Sequence, residues 1–154
     1  NNVCNLAYGT GYSEAFFDTA IWADRHIFCV ASDDTHQTVS AKNDFCGGFI
    51  MVKASCLDRS SIYEAISQGN FYASTGPLID EFYVENGVAY VKCPPCEKIS
   101  FNTDFYSGNC TICPDGSLTQ ASWEYKSIDN KPRYVRCKVE NKNGTAWSQP
   151  IWLR

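Results

Sequence analysis

Residues 32–36 read Ser32-Asp33-Asp34-Thr35-His36, two carboxylates and an imidazole packed into a few positions. Asp-x-His on a turn brings one carboxylate oxygen and one imidazole nitrogen within reach of a single metal ion. Divalent metals held by nitrogen and oxygen suit hydrolysis, because they make bound water acidic and neutralise developing charge. Asp34 and His36 are therefore the candidate metal ligands. Asp33 stands beside them as a residue that orients a ligand rather than holding the ion. His36 has a second role open to it, in proton transfer, which makes it the candidate catalytic residue as well. A plainer reading is that Asp33 and Asp34 cap the segment that follows and that His36 is a loop residue; the motif taken alone does not separate the two. The other histidine, His26, lies at the opposite end of the apolar run 27–31 and reads as a solvated linker residue.

A second constellation is Cys93-Pro94-Pro95-Cys96 with Cys110-Thr111-Ile112-Cys113, two C-x-x-C pairs separated by 13 residues. This is close to zinc-ribbon spacing. A hairpin with 99–101 as one arm would bring its ends together, so that Cys93, Cys96, Cys110 and Cys113 surround one tetrahedral ion. Three states stay open for these sulfurs: structural zinc, free thiols or disulfides. A thioredoxin-like role is disfavoured, since no helix start follows C-P-P-C to depress a thiol pKa. The chain has nine cysteines, and an odd number cannot all pair internally. A chain of 154 residues does not need a disulfide scaffold either, so the expected setting is a reducing, cytoplasmic one. Asn109 and Asn143 each begin an N-x-S/T triplet, a pattern too short to overturn that expectation.

Composition sets the frame around these residues. With 44% apolar and 19% charged residues the chain is not disordered. It has no run of about 20 apolar residues to cross a membrane. The net charge is -4 and the basic residues do not cluster, which excludes nucleic acid and anionic membrane as natural partners. The opening Asn1-Asn2-Val3-Cys4-Asn5 is no signal peptide. Residues 13–25 predict a helix capped by Ser13, with Phe16, Phe17, Ala20 and Ile21 at helical spacing. Residues 27–31 predict a strand buried on both faces, as in a parallel sheet. A strand at 49–52, a helix over 60–68 with a Ser61/Glu64 capping box and Gly69 at its end, and a strand at 71–74 follow. From residue 80 the period becomes two. Asn86-Gly87 predicts a hairpin in which Phe82, Val84, Ala89 and Val91 share one face. Val135, Cys137 and Val139 point inward from a later strand, and a last strand ends at 151–153. Cys29 and Cys137 read as small core hydrophobes. Trp123, Tyr125, Trp147 and Trp152 read mostly as core, with a sugar- or peptide-stacking surface as the lesser reading.

Ala31-Ser32-Asp33-Asp34-Thr35-His36, the segment 47–54 (Gly47-Gly48-Phe49-Ile50-Met51-Val52-Lys53-Ala54), the segment 69–77 (Gly69-Asn70-Phe71-Tyr72-Ala73-Ser74-Thr75-Gly76-Pro77) and the ending Ser148-Gln149-Pro150-Ile151-Trp152-Leu153 occur in this order. Together they resemble the PHP (polymerase and histidinol phosphatase) family, in the branch where a barrel is followed by a β-sandwich. The resemblance implies an α+β chain: the C-terminal βα units of a (β/α)7 barrel over 1–79 and an antiparallel β-sandwich over 80–154. It implies a metal-dependent phosphoesterase whose divalent ions (Zn, Mn or Fe) cluster at the carboxyl end of the barrel, with a small-molecule phosphoester as substrate. The family's last motif, Asp-x-His, falls on Asp34 and His36. Its first motif, His-x-His, has no counterpart in a chain with only two histidines. The expectation is thus the C-terminal portion of a longer enzyme, inactive by itself. Bare barrel strands would then pair between copies or dock on the sandwich. The alternative is a non-catalytic sandwich module that binds a partner and is stapled by zinc.

Overall fold

The computed structural model describes residues 1–36, 44–104, 108–127 and 131–153. The chain divides after Gly76 into two units. It is α+β with mostly antiparallel strands, and no helix among the described residues is long and apolar enough to cross a membrane.

In the first unit, α1 (Asn2–Tyr8) starts on the side-chain oxygen of Asn1, which accepts from the Cys4 N–H at 2.8 Å. Helix α2 (Glu14–Trp22) buries Phe17 and Ile21, four positions apart on one face, whereas Phe16 is 80% exposed. Ser13 sits at its start without capping it through the side chain. Strand β1 (Phe49–Val52) pairs antiparallel with β2 (Phe71–Ser74), Phe49 opposite Ser74 and Val52 opposite Phe71. Helix α3 (Arg59–Ser67) lies between them in sequence and buries Ala65. Antiparallel pairing overturns the expected parallel βα arrangement here, and a PHP-type barrel is not shown. Residues 27–31 form no strand, and Ile27, Phe28 and Val30 are exposed. An apolar run signals a demand for burial but supplies no partner for its own backbone, and β1 and β2 take each other as neighbours. Within the run, Phe28 packs edge-on against Phe71 at 5.7 Å.

The start of α3 differs from the capping box read in the sequence. Asp58 caps instead, its carboxylate accepting from the Ser61 N–H at 2.9 Å and from the Ser60 and Ser61 hydroxyls at 2.6 and 2.9 Å. Glu64 receives Gln68 Nε2 rather than reaching back. An ionised carboxylate with three donors outcompetes a serine hydroxyl for the same helix end. The Ser60 hydroxyl first, then the Ser61 N–H and hydroxyl, pull the Asp58 pKa down to about 2. The folded helix thus favours the ionised form. Its stabilisation is complete above the free carboxyl's 3.8 and is lost as pH falls through about 2. The Ser61 amide proton shift is expected to titrate with that low midpoint and to lose the transition in Asp58→Ala; a midpoint at the free value would remove the cap.

The second unit opens with β3 (Glu81–Glu85) and β4 (Val88–Cys96), joined at Asn86-Gly87 as the sequence predicts. Both turn residues have positive φ, 51° and 80°, which matches the strand twist of a two-residue hairpin. Phe82 stands opposite Val91 and Val84 opposite Ala89, with Ala89 and Val91 buried. Strand β5 (Lys98–Asn102) pairs with β6 (Gly108–Ile112), and β7 (Leu118–Glu124) pairs with β4. Strand β8 (Tyr134–Asn141) lies beside β5 on one edge. Its other edge takes β9 (Gly144–Ser148) along one half and β10 (Ile151–Trp152) along the other. The expected single last strand is therefore two. Sheet β3-β4-β7 faces the sheet containing β9, β8, β5 and β6, with Phe101 of β5 stacked on Trp123 of β7 at 6.2 Å. Ile99, Phe101, Val135, Cys137 and Val139 form the sealed interior. Alternating inward residues on two antiparallel sheets make this a sandwich core.

Candidate functional site

The turn at 32–36 is held from two directions. Its own carbonyls serve the start of α1: Ser32 O accepts from Asn2 N at 2.8 Å and Asp33 O from Val3 N at 3.0 Å. These are N–H groups that no residue within a helix's first turn can satisfy. From the other side comes the segment 44–48. The Asp33 carboxylate accepts from the N–H of Cys46, of Gly47 at 2.9 Å and of Gly48 at 2.7 Å. Three convergent donors on one ionised group make a charge-assisted clasp. Gly48 is required there, because a Cβ would meet the Ser32 carbonyl oxygen at 2.8 Å.

Asp44 completes the frame and was passed over in the sequence. It is 8% exposed, and its Oδ2 accepts from the His36 N–H at 3.1 Å while its carbonyl accepts from the Thr35 hydroxyl at 3.0 Å. The signal that could have found it is an acid placed shortly before Gly47-Gly48, on the strand side of the same loop. Asp34 has φ 59°, a left-handed conformation that short polar side chains tolerate. Its Oδ2 accepts from Asn1 Nδ2 at 3.2 Å. Asp34 and His36 are both exposed, whereas Asp33 is half-buried. Asp33 thus ties this loop to the segment 44–48, and Asp34 and His36 lie on its exposed side. They are carried by an irregular loop, and not by the tip of a buried strand as the sequence suggested. His26 is exposed, in keeping with a linker position.

Among the described residues no group of three or more His, Cys, Asp or Glu side chains is placed to hold a metal ion. The four cysteines of the second constellation make different contacts. Cys93 and Cys96 are buried, with sulfurs 3.6 Å apart. Cys110 is exposed on β6 and its sulfur accepts from the Ser100 hydroxyl at 3.5 Å. Cys113 donates to Asp115 Oδ1 at 3.0 Å, and that thiol is the first of the contacts that hold the Asp115 pKa below its usual value. Burial pushes the Cys137 thiol up to about 12, as befits a core residue. Comparison with family models, with curated proteins and with solved structures finds no match to this chain.

Proposed function

We propose that the chain is the C-terminal portion of a PHP-family metal-dependent phosphoesterase, in which Asp34 and His36 contribute to a site whose other ligands lie outside these 154 residues. The observation that carries this reading is the clasp of Asp33 on three successive backbone N–H groups, which anchors the loop that carries Asp34 and His36. The donor set fits a divalent ion: one carboxylate and one imidazole, both hard or borderline ligands suited to Mn, Fe or Zn. Such an ion supplies Lewis acidity toward a phosphate oxygen and a more acidic water. The chain's own residues do the rest. Asp34 brings negative charge to the ion. His36 brings nitrogen, or a proton carrier beside the phosphoester. Asp33 and Asp44 keep the turn from rearranging as charge is redistributed.

The test is titration of the labelled chain with Mn(II), read by paramagnetic broadening of its NMR signals. Broadening is expected to begin at residues 33–36 and to be lost in Asp34→Asn and in His36→Ala. Broadening that ignores this turn, or that survives both substitutions, overturns the assignment. The chain alone is expected to show no metal-dependent phosphomonoester hydrolysis; sustained turnover would contradict the division of ligands.

A further inference from the structure

Cys93 and Cys96 lie in the second unit, apart from the phosphoesterase reading and independent of it. Between the pairs Lys92–Gln120 and Cys96–Leu118, β4 advances four positions while β7 advances two. The extra residues form a bulge at 93–95. Pro94 and Pro95 have no N–H to give to a ladder, so they belong where pairing is interrupted. In an unbroken strand, residues three apart point to opposite faces. The bulge cancels that alternation: Cys93 and Cys96 are 4% and 1% exposed, while Pro94 and Pro95 between them are exposed. Two sulfurs that the strand period would separate are thereby brought to 3.6 Å. A disulfide needs about 2 Å between sulfurs, so oxidation has to draw this pair together by about 1.6 Å.

We propose that Cys93 and Cys96 are a modification site, a vicinally placed dithiol that a low-molecular-weight disulfide such as oxidised glutathione converts into an internal disulfide. One protein thiolate attacks a sulfur of the reagent, breaking its S–S bond and expelling one reagent thiolate. The second protein sulfur then attacks the mixed disulfide, forming the Cys93–Cys96 bond and expelling the other half. Two protein thiols are oxidised, one reagent disulfide is reduced to two thiols, and the two protons leave on those products. Burial first, then the bond with the Cys96 thiol, pushes the Cys93 thiol up to about 12, and burial raises Cys96 as well. Thiolate is therefore scarce at neutral pH and the exchange is slow, while the product places no charge in the core.

The full chain is incubated with oxidised glutathione under conditions that preserve its far-UV spectrum, then denatured, alkylated and cut with trypsin. Cleavage after Lys92 and Lys98 yields the peptide 93–98, which carries these two sulfurs and no others. The expected product is this peptide unalkylated and lighter by two hydrogens, converted by dithiothreitol into the doubly alkylated form. The exposed Cys46, Cys56 and Cys110 report that the reagent was active by carrying glutathione. Double alkylation of 93–98 without reduction, glutathione retained on either sulfur, or a bond from either to another cysteine overturns the proposal. So does a disulfide that forms only in unfolded protein.

Discussion

Alanine at position 33 is expected to unlatch the turn at 32–36 while leaving both proposed ligands in the chain. Three backbone N–H groups, of Cys46, Gly47 and Gly48, lose their acceptor at once. A hydrogen bond to a charged group contributes about 1.5–3 kcal/mol, but three on one carboxylate do not add, and partial exposure lets water replace some of the loss. A local cost of about 2–3 kcal/mol is the expected result, or roughly a hundredfold faster exchange of those three amides. Removing an outer residue that orients metal ligands lowers metal affinity by about 10–100-fold, so Mn(II) broadening at Asp34 and His36 is expected to require correspondingly more metal. Asp34→Asn gives the opposite pattern: metal response lost, exchange at 46–48 unchanged. That pairing separates a residue that positions from one that binds. Unchanged exchange in Asp33→Ala would mean that the loop is held by other contacts, and the main support for the phosphoesterase reading would go with it.

What could be read from the residues follows from how local each signal is. The hairpin at Asn86-Gly87 is legible because two positive-φ residues and alternating flanks lie within ten positions, and the register then follows from the pleat. The inward set Val135, Cys137 and Val139 is legible for the same reason. Arg136, at 1% exposed, is not. Alternation names the face that must be inside; it does not say that the other face is open, and Tyr134 on that face is covered too, with Trp152 against its ring at 5.4 Å. The run 27–31 fails for a different reason. A continuous apolar segment fits a buried strand or an irregular stretch equally, and only the presence of backbone partners decides. At the candidate site, the types and spacing of Asp33, Asp34 and His36 suggested who orients and who binds. Asp44 escaped because its bond to the His36 N–H depends on where the chain returns, which no spacing rule records.

The sandwich is expected to depend most on Phe101. This ring is 1% exposed on β5, opposite Asn109 of β6 and Cys137 of β8, and it meets Trp123 of the facing sheet. It is therefore one of the side chains through which one sheet packs on the other. Truncation to alanine removes the ring's transfer energy and leaves a cavity that strands pinned by ladders on both edges of β5 cannot collapse to fill. The expected cost is about 3–5 kcal/mol, a large part of the roughly 5–15 kcal/mol that holds a typical domain together. For a unit of this length that lowers the melting midpoint by roughly 15–30 °C. Phe101→Leu keeps most of the volume and is expected to lose less than half as much, whereas Phe16→Ala, at an 80% exposed position of the other unit, stays within about 0.5 kcal/mol. Urea unfolding followed by amide exchange in β8 checks the two Phe101 variants, because those amides open only with the sheet they belong to, and exchange in α2 checks Phe16→Ala. Equal midpoints for Phe101→Ala and Phe16→Ala would mean that the two sheets are joined by something other than the ring between them, and the core assigned to the second unit would have to be redrawn.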